Sequence, residues 1–153
     1  MKRRLFVIAS RLLSTEGSSF VELALMLPIL MLLLVPAVDI GRAFFTAIEV
    51  TSAAQAGADY GIKNPSDVSG MESASLKGAT NLATMSSTAT YGCECSDGTS
   101  AVASCNSTPS CTYNYVNYVD VVTTATYVPT LRYPGFPSSL QISRETRMRV
   151  GGN

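Results

Sequence analysis

From Leu23 to Val38 the chain reads LALMLPILMLLLVPAV, sixteen residues without a charge. At a helical rise of ~1.5 Å per residue this run is ~24 Å long. Phe20, Val21 and Ile40 extend it toward the ~30 Å of a bilayer's hydrocarbon core. A soluble amphipathic helix would place a polar residue at every third or fourth position, and this run has none. The expectation is a membrane-inserted helix. Pro28 and Pro36 lie inside it, each removing a backbone donor. Two readings of them stay open: incidental prolines in an anchor, or a curved or locally melted helix that packs against copies of itself.

The charges around the run give it a direction. Lys2, Arg3, Arg4 and Arg11 precede it, against Glu16 alone in the first seventeen residues. On the other side Arg42 is the one cation before residue 60, beside Asp39, Glu49 and Asp59. The positive-inside rule then places the N-terminus in the cytoplasm and residues from about 40 onward outside. Overall the eleven basic and eleven acidic residues cancel, and beyond residue 17 seven cations face ten anions. That remainder has no basic stripe interleaved with aromatics, so nucleic acid is not an expected partner.

Histidine is absent. The commonest general base and the commonest metal ligand are therefore missing together, and no Ser/His/Asp set can be built. Four cysteines, Cys93, Cys95, Cys105 and Cys111, fall within nineteen residues of a Ser-, Thr- and Gly-rich stretch. An even count on the far side of a membrane reads as one or two disulfides, with the nested pairing Cys93–Cys111 and Cys95–Cys105 preferred among three connectivities. The competing reading is a four-cysteine zinc site, although a Cys-x-Cys pair is one residue short of the usual metal knuckle. A thiol-exchange enzyme is a weaker reading, because no Lys or Arg flanks the pair to lower a thiol pKa. We expect no enzyme activity, catalytic residue, metal or cofactor.

The stretch before the apolar run is long for a secretory signal and ends in Glu16-Gly17-Ser18-Ser19-Phe20-Val21-Glu22. A carboxylate at the edge of an apolar helix is costly to insert, so Glu22 asks for a reason. Gly17 with Glu22 five residues on, directly before the apolar run, resembles the class III signal that prepilin peptidase cleaves after the glycine. The mature chain would then begin at Ser18. One rival is that Glu22 marks the headgroup boundary and the leader stays attached. Another is conventional cleavage after Ala37, at Val35-Pro36-Ala37.

The wider segment GSSFVELALMLPILMLLLVPAVDIGRAFFTAIEVTSAAQAGADYGI resembles the TadE-like family. The resemblance is carried by Gly17, Val21, Glu22, Leu27, Pro28, Asp39, Gly41, Arg42, Ala54, Gly57 and Ala58. The closing LRYPGFPSSLQISRETRMRV is similar to the family's last segment more loosely. The resemblance implies a minor pilin or pseudopilin, a non-catalytic subunit for assembly of a tight-adherence pilus. It implies prepilin peptidase, other pilins, pilus assembly proteins and a membrane as partners, and the bacterial inner membrane as the location. It also implies that Glu22 pairs with the new α-ammonium of a neighbouring subunit. The alternative is a single-pass, membrane-anchored surface-binding module that enters no filament.

The remaining chain is expected to be α+β: a long N-terminal transmembrane helix continuing as a stalk, then a small cap with one helix and a three-stranded antiparallel sheet. Ile40, Phe44, Ile48, Thr51, Ala54 (or Gln55) and Ala58 recur at helical steps. Ala53 to Gly61 is rich in Ala and Gly, a narrow face that another helix can approach. With the membrane run this makes one rod of about forty residues, or ~60 Å. Asn64-Pro65-Ser66-Asp67 ends that helix and caps a second over 67–83. Strands are expected at Tyr91–Cys95, Tyr113–Val128 and from Leu140 to Val150, with Pro134-Gly135-Phe136-Pro137 as a turn and 96–110 as loop. Asn106-Ser107-Thr108 matches a glycosylation acceptor at the level chance provides. The expected domains are a leader at 1–17, a transmembrane helix at 18–40, a stalk at 41–62 and an extracytoplasmic cap at 63–153.

Overall fold

A computed structural model describes residues 18–82, 84–106, 109–132, 135 and 137–151. Its elements in chain order are α1 (Ser18–Lys63), α2 (Val68–Gly78), β1 (Met85–Cys95), β2 (Ala101–Val102), β3 (Tyr115–Tyr127) and β4 (Leu140–Val150). The chain divides into two units, one ending at Ile40 and one beginning at Gly41.

In the first unit α1 stays helical through Pro28 and Pro36, so neither proline melts it. Its large apolar side chains from Phe20 to Leu34 are exposed, from 48 % at Leu27 to 76 % at Phe20. An apolar helix left this bare among the described residues is one that a bilayer would solvate. One N-terminal helix of this length and composition fits a single-pass membrane anchor.

In the second unit the rest of α1 packs on an antiparallel sheet of order β2-β1-β3-β4. Val50, with Ala43 and Ala47, meets Ala125, Tyr127 and Ile142. One stretch further along, Ala58 and Tyr60 meet Val119, Val121, Met71, Met148 and Val150. The strands β1 and β4 thus run with the helix, and β3 runs against it. Thr123 of β3 donates its hydroxyl to the Val50 carbonyl at 2.8 Å, a buried bond between the central strand and the helix backbone.

Small residues make this approach possible. Ala53, Ala54 and Ala58 are fully buried, and a Cβ on Gly57 would meet the Met71 carbonyl at 2.9 Å and Val121 Cγ1 at 3.0 Å. The helix that uses the Ala/Gly face is the chain's own α2, and the sheet shares it. The residues that recur at helical steps from Ile40 to Ala58 all lie in α1, but their large and small members differ in burial. Phe44 and Ile48 are 69 % and 64 % exposed, Ile40 is exposed as well, and Ala54 and Ala58 are buried. Close backbone packing along the small residues outweighed burial of the large ones.

The helix α2 ends at Gly78, five residues before the expected 83. Its start is as expected. Asp67 Oδ1 accepts from the Gly70 amide at 2.9 Å and from the Ser69 hydroxyl, and Oδ2 accepts from the Tyr60 hydroxyl at 2.8 Å. The Tyr60 bond, then the Gly70 amide and Ser69, hold the Asp67 carboxyl below its usual range. The folded pKa being the lower one, this contribution is present above the ordinary carboxylate pKa and is lost as pH falls through the lowered value. Asp67→Ala is therefore expected to lower the cap's melting temperature at neutral pH, with the gap to wild type closing at strongly acidic pH. Thermal melts of the full chain in detergent check this. An equal gap at both pH values would refute the cap's role.

The sheet has four strands where three were expected, and the first is longer. The strand β1 begins at Met85, six residues before Tyr91. Its Ser- and Thr-rich beginning carries little strand pattern of its own, yet it pairs with β3 from Met85↔Ala125 to Cys95↔Tyr115. The fourth strand is β2, inside the expected 96–110 loop, where Val102 pairs with Cys93 and Ala101 with Glu94. Two residues are too few for alternation to show. Gly92 makes room for the pairing, because a Cβ there would lie 2.3 Å from the Val102 carbonyl oxygen.

Candidate functional site: the anchor helix and the disulfide end of the cap

The processing residues lie at the start of α1. Gly17 and the leader fall outside the described residues, and Ser18 is the first residue of the helix. Glu22 is exposed one turn further on, surrounded by the exposed side chains of Phe20, Val21 and Leu23. Among the described residues it makes no hydrogen bond or ion pair. The structure therefore does not bring Glu22 together with any other residue singled out from the sequence.

At the other end of α1's apolar stretch, Arg42 Nη1 donates to the Thr130 hydroxyl, across 88 positions of sequence. In the sequence Arg42 counted only as a flanking charge and as part of the Gly-Arg pattern. Its tertiary partner follows from the β3–β4 hairpin, whose closing pair Tyr127↔Leu140 sits at the Ala43 end of the core.

The model of one protein family, described as TadE-like protein, matches residues 17–59. This segment is TadE-like. Neither a curated protein nor a solved structure matches the chain. The TadE-like segment covers the expected processing site, Glu22, the apolar run, Gly41, Arg42 and the Ala-rich part of α1 up to Asp59. It stops before α2 and the strands. Together with the bare apolar helix it fits a membrane-anchored protein related to the tight-adherence pilus.

The cysteines lie outside the TadE-like segment, and the structure joins all four of them in disulfides, which leaves no thiolate for zinc. The pairing is Cys93–Cys105 and Cys95–Cys111, with Cα separations of 5.2 and 5.5 Å. This corrects the nested preference. The reason is the small strand β2. Cys95, Gly98 and Ser100 make a turn, with Gly98 at φ +76°, and the chain then comes back antiparallel to β1. Val102 stands opposite Cys93, so the next cysteine, Cys105, meets Cys93. The chain then turns again and climbs past Cys95, where Ser96 N donates to the Asn114 carbonyl, and Cys111 closes there. Cys93 and Cys95 are two apart on one strand, so both bonds form on the same face.

The opposite face of the sheet holds a charge network at the same end. Glu94 accepts from Arg149 Nε at 2.7 Å, and Arg147 Nη2 reaches Asp120 at 3.0 Å. The Arg147 guanidinium also lies 4.5 Å from the centre of the Tyr118 ring. These charges pair across three strands and lock the register there, the use that cross-strand pairs have in a sheet. Asn106 is exposed nearby, while Ser107 and Thr108 of the acceptor motif lie outside the described residues.

Proposed function

We propose that this chain is a minor pilin or pseudopilin, a non-catalytic assembly subunit of a tight-adherence pilus. The observation that carries the proposal is the TadE-like match over residues 17–59, which begins at the glycine of the expected cleavage site. The bare apolar helix that starts at Ser18, with Glu22 as its fifth residue, supports the same reading. In this proposal the chain inserts in the bacterial inner membrane with its N-terminus in the cytoplasm. Prepilin peptidase removes residues 1–17, and the new α-ammonium at Ser18 and the Glu22 carboxylate become the assembly pair. The cap, folded on the far side of the membrane and closed by two disulfides, meets other pilins and pilus assembly proteins.

Processing tests the proposal. The chain purified from its native membranes is expected to start at Ser18 by intact mass and N-terminal sequencing, and Gly17→Leu is expected to keep the leader attached. A chain that retains Met1, or one that starts at Val38, would sink the pilin reading.

A further inference from the structure

We propose that the β3–β4 loop of the cap, at Val128, Leu131 and Arg132, docks on the phospholipid bilayer next to the point where α1 leaves it. The inference rests on α1 crossing a membrane. It goes beyond assembly, because it assigns the lipid surface as a ligand of the cap itself.

Three observations lead to it. The first is connectivity. Arg42 follows Val38, the last residue of the apolar run, by four positions, or ~6 Å of helix. Any bilayer that holds the run has its interface at this level. The second is the latch from Arg42 to Thr130, which fastens the start of the loop to that same helical turn. The core gives the same polarity independently. Tyr127, at the end of β3, packs with the cluster around Ala43, Ala47 and Val50, while the disulfide end of the sheet lies beyond Ala58.

The third observation is what the loop shows to its surroundings. Val128 is 61 % exposed and Leu131 50 %, on a loop fastened to the helix, and Arg132 beside them is exposed too. An aliphatic side chain next to a long cationic one is the chemistry of a membrane interface. Leu131 enters the boundary between headgroups and acyl chains, and Arg132 keeps its guanidinium at the lipid phosphates. Arginines near a membrane surface are drawn to anionic headgroups. The phosphate here is that of the phospholipid, since the loop's apolar side chains need an apolar phase beside it.

Tryptophan is absent from the chain, so single tryptophans report their positions cleanly. The full chain is reconstituted in vesicles of phosphatidylethanolamine and phosphatidylglycerol, with acyl chains brominated near the glycerol end or at mid-chain. Three variants are compared: Leu131→Trp in the loop, Leu30→Trp in the apolar run, and Tyr113→Trp at the disulfide end of the cap. The expected result is blue-shifted Leu131→Trp emission, quenched severalfold more by the shallow bromines than that of Tyr113→Trp. Adding Arg132→Glu to Leu131→Trp is expected to weaken that quenching, and unchanged quenching would overturn the assignment of Arg132 to the headgroups. Leu131→Trp as open to aqueous acrylamide as Tyr113→Trp, with Leu30→Trp quenched by mid-chain bromines, would overturn the docking and leave the anchor standing. Leu131→Trp shielded from acrylamide but untouched by bromine would mean that protein covers the loop, and would also overturn it. Loss of quenching at Leu30→Trp would instead remove the membrane reading itself.

Discussion

Glu22→Gln is expected to accumulate in the membrane and to be cleaved like wild type, yet to leave the cell without filaments that contain it. The substitution keeps the shape and hydrogen bonding of the side chain and removes its charge. Insertion should become slightly easier, since a carboxylate at the edge of an apolar helix costs free energy. Assembly should suffer, because Glu22 stands exposed in α1 with no partner among the described residues of its own chain. A carboxylate and an ammonium ~4 Å apart attract by ~1 kcal/mol in water and by ~4 kcal/mol at an effective dielectric of ~20. Losing ~3 kcal/mol at each subunit contact weakens association about a hundredfold. The measurement is a pull-down of pilus components from membranes that carry each form, with a count of surface filaments. Wild-type values of both for Glu22→Gln would reduce the carboxylate to a boundary marker. Loss of the protein itself would point to folding, and the assembly argument would fail that way too.

The second large effect is expected inside the cap. Gly57→Leu should prevent the second unit from folding, whereas Gly41→Ala should leave it intact. At Gly57 the first side-chain atom alone would meet a backbone oxygen of α2 at 2.9 Å, Ser75 Cβ at 3.0 Å and Val121 of β3 at 3.0 Å. Even Gly57→Ala sets an overpacking cost of ~1–3 kcal/mol against ~1 kcal/mol of helix propensity. Leucine adds three more carbons, and α2 must move off α1 to admit them. That opens the cluster of Ala58, Met71, Val119 and Val121, all fully buried. Domains have only ~5–15 kcal/mol of stability to lose. At Gly41 an added Cβ has nothing within 4 Å, and alanine there gains helix propensity without a clash. Near-UV circular dichroism of the full chain in detergent during heating distinguishes the two. A Gly57→Leu melt within a few degrees of wild type would show that α2 is not held where Gly57 admits it.

The two predictions divide the TadE-like segment into parts with different duties. Up to about Ile40 its large apolar side chains are left bare, and from Gly41 onward many of its residues build the cap. Gly57 and Ala58 belong to the second group. Their small size is spent on the chain's own α2 and β3, whereas Phe44 and Ile48, from the same stretch of helix, remain exposed.

The amino-acid sequence alone marked the apolar helix, because a charge-free run of sixteen residues needs no partner element to declare itself. It carried the family resemblance in Gly17, Glu22 and the Gly-Arg and Ala-rich positions. It also carried the cap of α2, since Asp67 serves a helix that begins one residue later, and the long strands β3 and β4, whose residue types mark them locally. What needed tertiary structure were features set by contacts distant in the chain. The Ser- and Thr-rich half of β1 is a strand because β3 lies beside it for its whole length. The strand β2 exists because Gly92 leaves room for it, and its antiparallel return decides which cysteine meets which. Four cysteines at fixed spacing allow three pairings, and spacing cannot choose among them. The inward face of α1 also needed tertiary contacts. Periodicity marks the large apolar residues, but the core formed along the small ones, where backbones come close enough for Thr123 to bond to Val50. The latch from Arg42 to Thr130 had no sequence signal, since nothing local relates two residues that only the β3–β4 hairpin brings together.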